Sequence, residues 1–152
     1  MKLYLVQHGN SLSKEEDPEC PLSPQGERDV GNVAHFLESA GITVRKIFHS
    51  GKKRAEQTAQ ILCNTIGTNS IEMMEGIKPM SDVEPIITQV KELHDDVMIV
   101  GHLPFMSRFI SRIFNQGEDE PVVNYQQGSV VCLGRDEDGH FAICWMVRPE
   151  LF

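Results

Sequence analysis

The sequence predicts one α/β domain spanning residues 1–152. The expected architecture is a three-layer α/β/α sandwich with a mostly parallel sheet, closed by a C-terminal β-hairpin. Three observations predict it. Short apolar runs alternate four times with longer amphipathic stretches, the pattern of strand–helix units joined by crossovers. The run VMIVGH at 97–102 is apolar without alternation, as a strand covered on both faces of a sheet must be. Toward the C-terminus the helical period stops, and SVVCLG and HFAICWMVR flank RDEDG, which reads as strand, turn and strand.

The first strand is expected over Lys2 to Val6, running into Gln7-His8-Gly9. A polar loop containing SKEEDPECP follows, then LSPQGERDVGNVAHFLESAG as the first helix. Ser23 suits its N-cap, Pro24 its first turn and Gly41 its end. Val30, Val33, Ala34 and Leu37 share one face at helical spacing. Gly26 is unfavourable for a helix, so close backbone approach is the physical reason to expect for it. VRKIFHS is the second strand and Arg54 to Ile66 the second helix, with Ala55, Ala59, Leu62 and Ile66 facing inward. IEMM is a third strand, VEPIITQVKEL a third helix broken or begun near Pro85, and PFMSRFISRIF a fourth helix with Pro104 near its first turn. Every connection is expected to be short, leaving no insertion large enough to form a lid.

The composition excludes several classes of function. Net charge is −8, which disfavours a nucleic-acid backbone as partner. No run approaches a membrane span, and the N-terminus lacks an apolar stretch of signal-peptide length. The four cysteines, Cys20, Cys63, Cys132 and Cys144, show no zinc-like spacing. Reduced thiols and a cytoplasmic location are expected. Cys132 and Cys144 can face each other across paired strands, but burial as small apolar residues is the simpler expectation.

In open α/β sheets, ligands bind beyond the carboxyl ends of the parallel strands. His8 and His102 both emerge at that edge, each next to a glycine that would let the backbone approach a ligand. Arg54 starts the second helix, where free amides and the helix dipole favour an anion. Two imidazoles, a guanidinium and a helix N-terminus make a site for a phosphoryl group: a neutral histidine can attack phosphorus, and a protonated one can stabilise oxygen charge. Neither histidine has a carboxylate or thiolate partner at metal-ligand spacing, so no metal and no organic cofactor is expected. His35, His94 and His140 are expected on helix surfaces or in a turn. His49 lies nearer the site, and Met73, Met74 and Met80 are expected as core filling or loop contacts.

The segments LVQHGNS, LSPQG, HSGKKRAEQTA and VGHLPFMSRF, in this order along essentially the whole chain, resemble the histidine phosphatase superfamily. Its hallmark is an R-H-G turn after the first strand. The resemblance is strongest to the short phosphohistidine phosphatase (SixA) branch. It implies a phosphoglycerate mutase-like fold and a metal-independent hydrolase in which His8 is the nucleophile of a phosphohistidyl intermediate. Arg54 matches a phosphate-binding arginine and His102 the histidine that contacts the transferring group. Gln7, Asn10 and Leu103 belong to the same expected phosphate-binding set. Asp82 is the first candidate for a general acid and Glu84 the second. The departure is Gln7, which stands where the family has arginine; Lys52 and Lys53 offer positive charge nearby. The expected substrate is a phosphorylated protein, a histidine phosphotransfer domain, with inorganic phosphate as product. A small phosphoester, or a non-catalytic phosphate-binding module weakened by Gln7, are the alternatives.

Overall fold

The computed structural model describes residues 1–117 and 120–152. Its elements are β1 (Lys2–Gln7), α1 (Pro24–Ser39), β2 (Lys46–His49), α2 (Lys53–Ile66), β3 (Ile71–Met73), α3 (Glu84–Lys91), β4 (Val97–Gly101), α4 (Phe105–Ile113), β5 (Val130–Arg135) and β6 (Phe141–Val147), then a 3₁₀ turn at Pro149–Leu151. The sheet order is β3-β2-β4-β1-β5-β6. β1, β2, β3 and β4 pair in parallel, while β5 runs antiparallel to β1 and β6 antiparallel to β5. The expected three-layer sandwich with a C-terminal hairpin is the observed architecture.

Alternation along β1 divides the core in two. Leu3 and Leu5 pack with Ile99, Phe105, Phe109 and Val90 on the face covered by α3 and α4. Tyr4 and Val6 pack with Met98, Val100, Leu37 and Leu62 on the face covered by α1 and α2. Both central strands therefore bury every position after Lys2, which explains their unbroken apolar runs. The Ser23 hydroxyl accepts the Gly26 amide at 3.0 Å and caps α1, and Gly41 follows its end at a φ of +69°. Pro85 begins α3 rather than breaking it.

Two expectations need correction. Cys132 is buried but Cys144 is exposed: the register jumps from Cys132 opposite Trp145 to Leu133 opposite Ile143. Cys144 is thus the extra residue of a β-bulge on the edge strand and does not pack as a small apolar residue. Nor are all connections short. Residues 8–23 link β1 to α1, and residues 114–129 link α4 to β5. Both contribute to the cavity described next.

Candidate active site

β1 and β4 are neighbours in register, with Gln7 opposite Gly101. His8 and His102 therefore leave the sheet side by side, and the His8 amide still donates to the Gly101 carbonyl at 3.1 Å. Their ring centroids are 4.9 Å apart, with planes tilted by 52°. His8 donates from Nδ1 to its neighbour's carbonyl, Gly9 O, at 2.7 Å. Its Nε2 accepts the Arg54 Nε–H at 3.2 Å. Together these two bonds assign the proton to Nδ1 and the lone pair to Nε2. Burial, reinforced by the Arg54 charge, lowers the His8 pKa to about 4. His102 is 1% exposed. Burial, then the charges of His8, Arg54 and Lys52, lower its pKa to about 3. Both rings are uncharged at neutral pH. The Ser50 hydroxyl lies 2.5 Å from His102 Nε2, while the buried Nδ1 has no partner among the described residues.

Arg54 stands in the first turn of α2, whose N-cap, Lys52, provides no side-chain cap to the amides there. Unsatisfied amides at a helix start attract anions. Thr58, one turn on, ties this helix to the histidine turn. Its hydroxyl accepts the Gly9 amide at 3.0 Å and donates to the Arg54 carbonyl at 2.7 Å. Thr58 is fully buried, a polar residue within the inward stripe of Ala55, Ala59 and Leu62. That placement was the available sequence signal for it. Beyond His8 and Arg54 opens a cavity of about 480 Å³ walled by Ser11, Lys14, Pro18, Glu19, Cys20, Lys52, Lys53, Pro79 and Gln127. Sequence reasoning did not single out Glu19, Cys20, Pro79 or Gln127, because they come from loops whose path no local pattern reveals.

The remaining expected residues are distributed differently. Gln7 follows Leu3 and Leu5 in the row facing α3 and α4. It is 7% exposed, its Oε1 has no partner among the described residues, and it does not line the cavity. Asn10 bridges two segments, donating to Gln127 Oε1 at 2.9 Å and accepting from Ser23 Oγ at 2.6 Å. Leu103 is partly exposed and outside the cavity wall. Asp82 accepts the Glu84 amide at 3.1 Å, at the start of α3, and Glu84 pairs with Arg112. Neither carboxylate lines the cavity. His49 accepts the Gly51 amide at 3.2 Å, and His35, His94 and His140 are exposed. The glycines beside the histidines serve packing rather than ligand approach. A Cβ on Gly9 would lie 2.7 Å from Val30 Cγ2, and one on Gly101 would lie 2.8 Å from Met106 Sδ. Among the described residues, no helix is long and apolar enough to cross a membrane.

Residues 3–81 match the family model of the histidine phosphatase superfamily, branch 1. The chain belongs to that superfamily. A 2,3-bisphosphoglycerate-dependent phosphoglycerate mutase of Nitrosomonas europaea is 32% identical over 76 residues, which is 47% of this chain and 32% of the mutase. The chain thus spans about a third of that relative. Among solved structures, the protein histidine phosphatase SixA complexed with tungstate superposes with a TM-score of 0.87 at 20% identity, covering 99% of both chains. The α-ribazole phosphatase of Shigella flexneri superposes at 0.78 with 15% identity, over 98% of this chain and 97% of that one. At such identities these structures establish the shared phosphoglycerate mutase-like fold of the superfamily.

Proposed function

We propose that residues 1–152 form a single phosphatase domain that works through a phosphohistidine intermediate on His8. The observation that carries this is the pairing of a neutral His8, its Nε2 lone pair accepting the Arg54 Nε–H, with that guanidinium at the uncapped start of α2. In the first step Nε2 of His8 bonds to phosphorus while the bond to the leaving group breaks and its electron pair departs with that group. The His8 Nδ1–H bond to Gly9 O balances the positive charge that develops on the ring. In the second step water attacks phosphorus, the P–Nε2 bond breaks, inorganic phosphate leaves and neutral His8 returns. Arg54 and the α2 amides hold the phosphoryl oxygens throughout. His102, beside His8, is itself off the cavity wall and 1% exposed, so in this proposal it reaches the transferring group only when its Nε2 exchanges Ser50 for a phosphoryl oxygen.

The substrate we propose is protein phosphohistidine, such as a phosphorylated histidine phosphotransfer domain. Its leaving group is an imidazole, which can depart already protonated and needs no strong acid from the enzyme. Asp82 and Glu84 both lie off the cavity wall, which suits that chemistry. The likeness to SixA, a protein histidine phosphatase, points the same way. Four unpaired cysteines suit a reducing cytoplasm. One observation favours a small phosphoester instead: segment 8–23 walls the cavity and carries Glu19, whose carboxyl group, in its acid form, would donate a proton to a departing alkoxide oxygen.

A turnover panel separates the two. Wild type and His8→Ala are incubated with a phosphohistidine-bearing phosphotransfer domain and with small phosphoesters, and released phosphate is measured. We expect His8-dependent release from the domain. Turnover confined to small esters would overturn the proposed substrate. Activity that survives His8→Ala would overturn the mechanism.

A further inference from the structure

A transferring phosphoryl group spreads negative charge over three oxygens, and the site must meet that charge with preorganised donors. One guanidinium, Arg54, already has its Nε–H directed at His8 Nε2. Gln7 carries no charge and does not reach the cavity wall. The other cations on that wall are Lys14, Lys52 and Lys53, and their surroundings separate them. Lys53 is engaged with Glu56 at 3.7 Å. Lys14 is exposed on segment 8–23, where ordering a long side chain costs the most entropy.

Lys52 differs on each count. It is half-buried and occupies the N-cap of α2, directly before the free amides of the first turn. Among the described residues no carboxylate pairs with it. Its backbone amide donates to Ser50 Oγ at 3.4 Å, the same hydroxyl that lies against His102. Its charge also acts on His102, contributing to that ring's lowered pKa.

We propose that Lys52 is a phosphate-binding residue whose ammonium meets the transferring phosphoryl group beside Arg54 and supplies the second positive charge that Gln7 lacks. This inference rests on the phosphoryl chemistry proposed above. It assigns recognition to a residue two positions before Arg54, on the helix start, rather than to the residue before His8.

The experiment compares wild type, Lys52→Gln, Lys52→Arg and Lys46→Gln. Lys46 pairs with Glu72 and lies outside the cavity wall, so its variant controls for the loss of one unit of net charge. Affinity for inorganic phosphate and for tungstate is measured by calorimetry, and kcat/KM with p-nitrophenyl phosphate. Lys52→Gln should weaken phosphate by about 10- to 100-fold, the range for losing a hydrogen bond to a charged group. Lys52→Arg should restore most of it, and Lys46→Gln should bind as wild type. Wild-type phosphate affinity in Lys52→Gln, or an equal loss in Lys46→Gln, would overturn the proposal. Because anion affinity is read without turnover, a lack of His8-dependent hydrolysis would count against the mechanism alone.

Discussion

Two glycines in α1 should respond to the same substitution with opposite signs. A Cβ on Gly26 would lie 2.0 Å from the Asn10 carbonyl oxygen and 2.9 Å from Asn10 N and C. All three are backbone atoms, and that carbonyl already accepts the Ser23 amide at 2.9 Å. A Cβ on Gly31 would meet nothing within 4 Å. Helix propensity favours alanine over glycine by about 1 kcal/mol at an interior position. Gly31→Ala should therefore stabilise by up to about 1 kcal/mol and raise Tm by about 2–4 °C in a chain of this size. At Gly26 the backbone of residue 10 must retreat from 2.0 Å by about 1.4 Å to reach ordinary contact. Overpacking costs about 1–3 kcal/mol even when side chains can yield. The clash outweighs the propensity gain, and Gly26→Ala should lower Tm by several degrees.

The site should feel it as well. Asn10 is two residues from His8, and the Gly9 amide between them is anchored on Thr58. Pushing residue 10 away from α1 loads that anchor and tilts the His8 ring relative to Arg54. Thermal melts in one buffer, followed by phosphatase assays well below Tm, read both effects. A Gly26→Ala protein that melts as high as Gly31→Ala would refute the close-approach argument. One with full activity despite a lowered Tm would refute the link from residue 10 to the histidine.

Further predictions concern the groups around His8. Thr58→Val keeps the shape but leaves the buried Gly9 amide without an acceptor, at about 1–3 kcal/mol; Thr58→Ser should recover most of it, and a urea midpoint for Thr58→Val equal to wild type would show the hydroxyl to be irrelevant. Acid should destabilise the fold. His8 and His102 have folded pKa values of about 4 and about 3, below the ordinary value near 6.5, so between these limits the unfolded chain binds more protons and stability rises with pH. Going from pH 6 to pH 5 should cost about 1 kcal/mol per histidine. The His8→Asn/His102→Asn double variant should lose that part of the slope, and an unchanged slope would mean the rings are not the groups responsible. Bound phosphate should reduce the acid loss, because its negative charge favours protonated imidazole.

Much of this was legible in the sequence because it depends on local period and on position along the sheet. The apolar runs at β1 and β4 needed burial on both faces, and that requirement placed His8 and His102 on one edge. Ser23, Pro24 and Gly41 bounded α1 through backbone chemistry that any helix shares. Gly26 was legible as an exception to helix propensity. What stayed hidden depends on partners distant in sequence. Whether Cys144 faces the core turns on a register slip in β5–β6, which alternation cannot show. Sequence alone makes the glycines beside the histidines read as room for a ligand, whereas Val30 and Met106 fill the space their missing Cβ atoms leave. Asp82 and Glu84 sat at a plausible place in the chain, yet one holds an amide at the start of α3 and the other holds Arg112. In the sequence, segment 8–23 reads as a short polar loop that follows His8 and screens substrates by charge at most. Its long path carries Lys14, Glu19 and Cys20 over the site, and tertiary docking alone decides that.

The contact between Arg54 and His8 joins recognition to reactivity. The Arg54 Nε–H is spent on the lone pair that the proposed attack requires, so one bond both orients the imidazole and masks it. A neutral imidazole nitrogen is a weaker acceptor for guanidinium than an anionic phosphoryl oxygen, since charge-assisted bonds are roughly twice as strong. In the proposed reaction an incoming phosphoryl group therefore takes the N–H and frees Nε2 in the same event. The lowered pKa of His8 completes the arrangement: no proton has to be removed from Nε2, so no general base is needed at neutral pH. Replacing Arg54 by lysine would break this coupling while keeping the charge. A lysine ammonium is a point donor without the planar fork, and it cannot bond Nε2 and then phosphate from one fixed geometry. Arg54→Lys should thus lose far more in kcat than in phosphate affinity. A variant that loses affinity and kcat equally would show that Arg54 acts as a charge alone, and that orientation of His8 rests on Gly9.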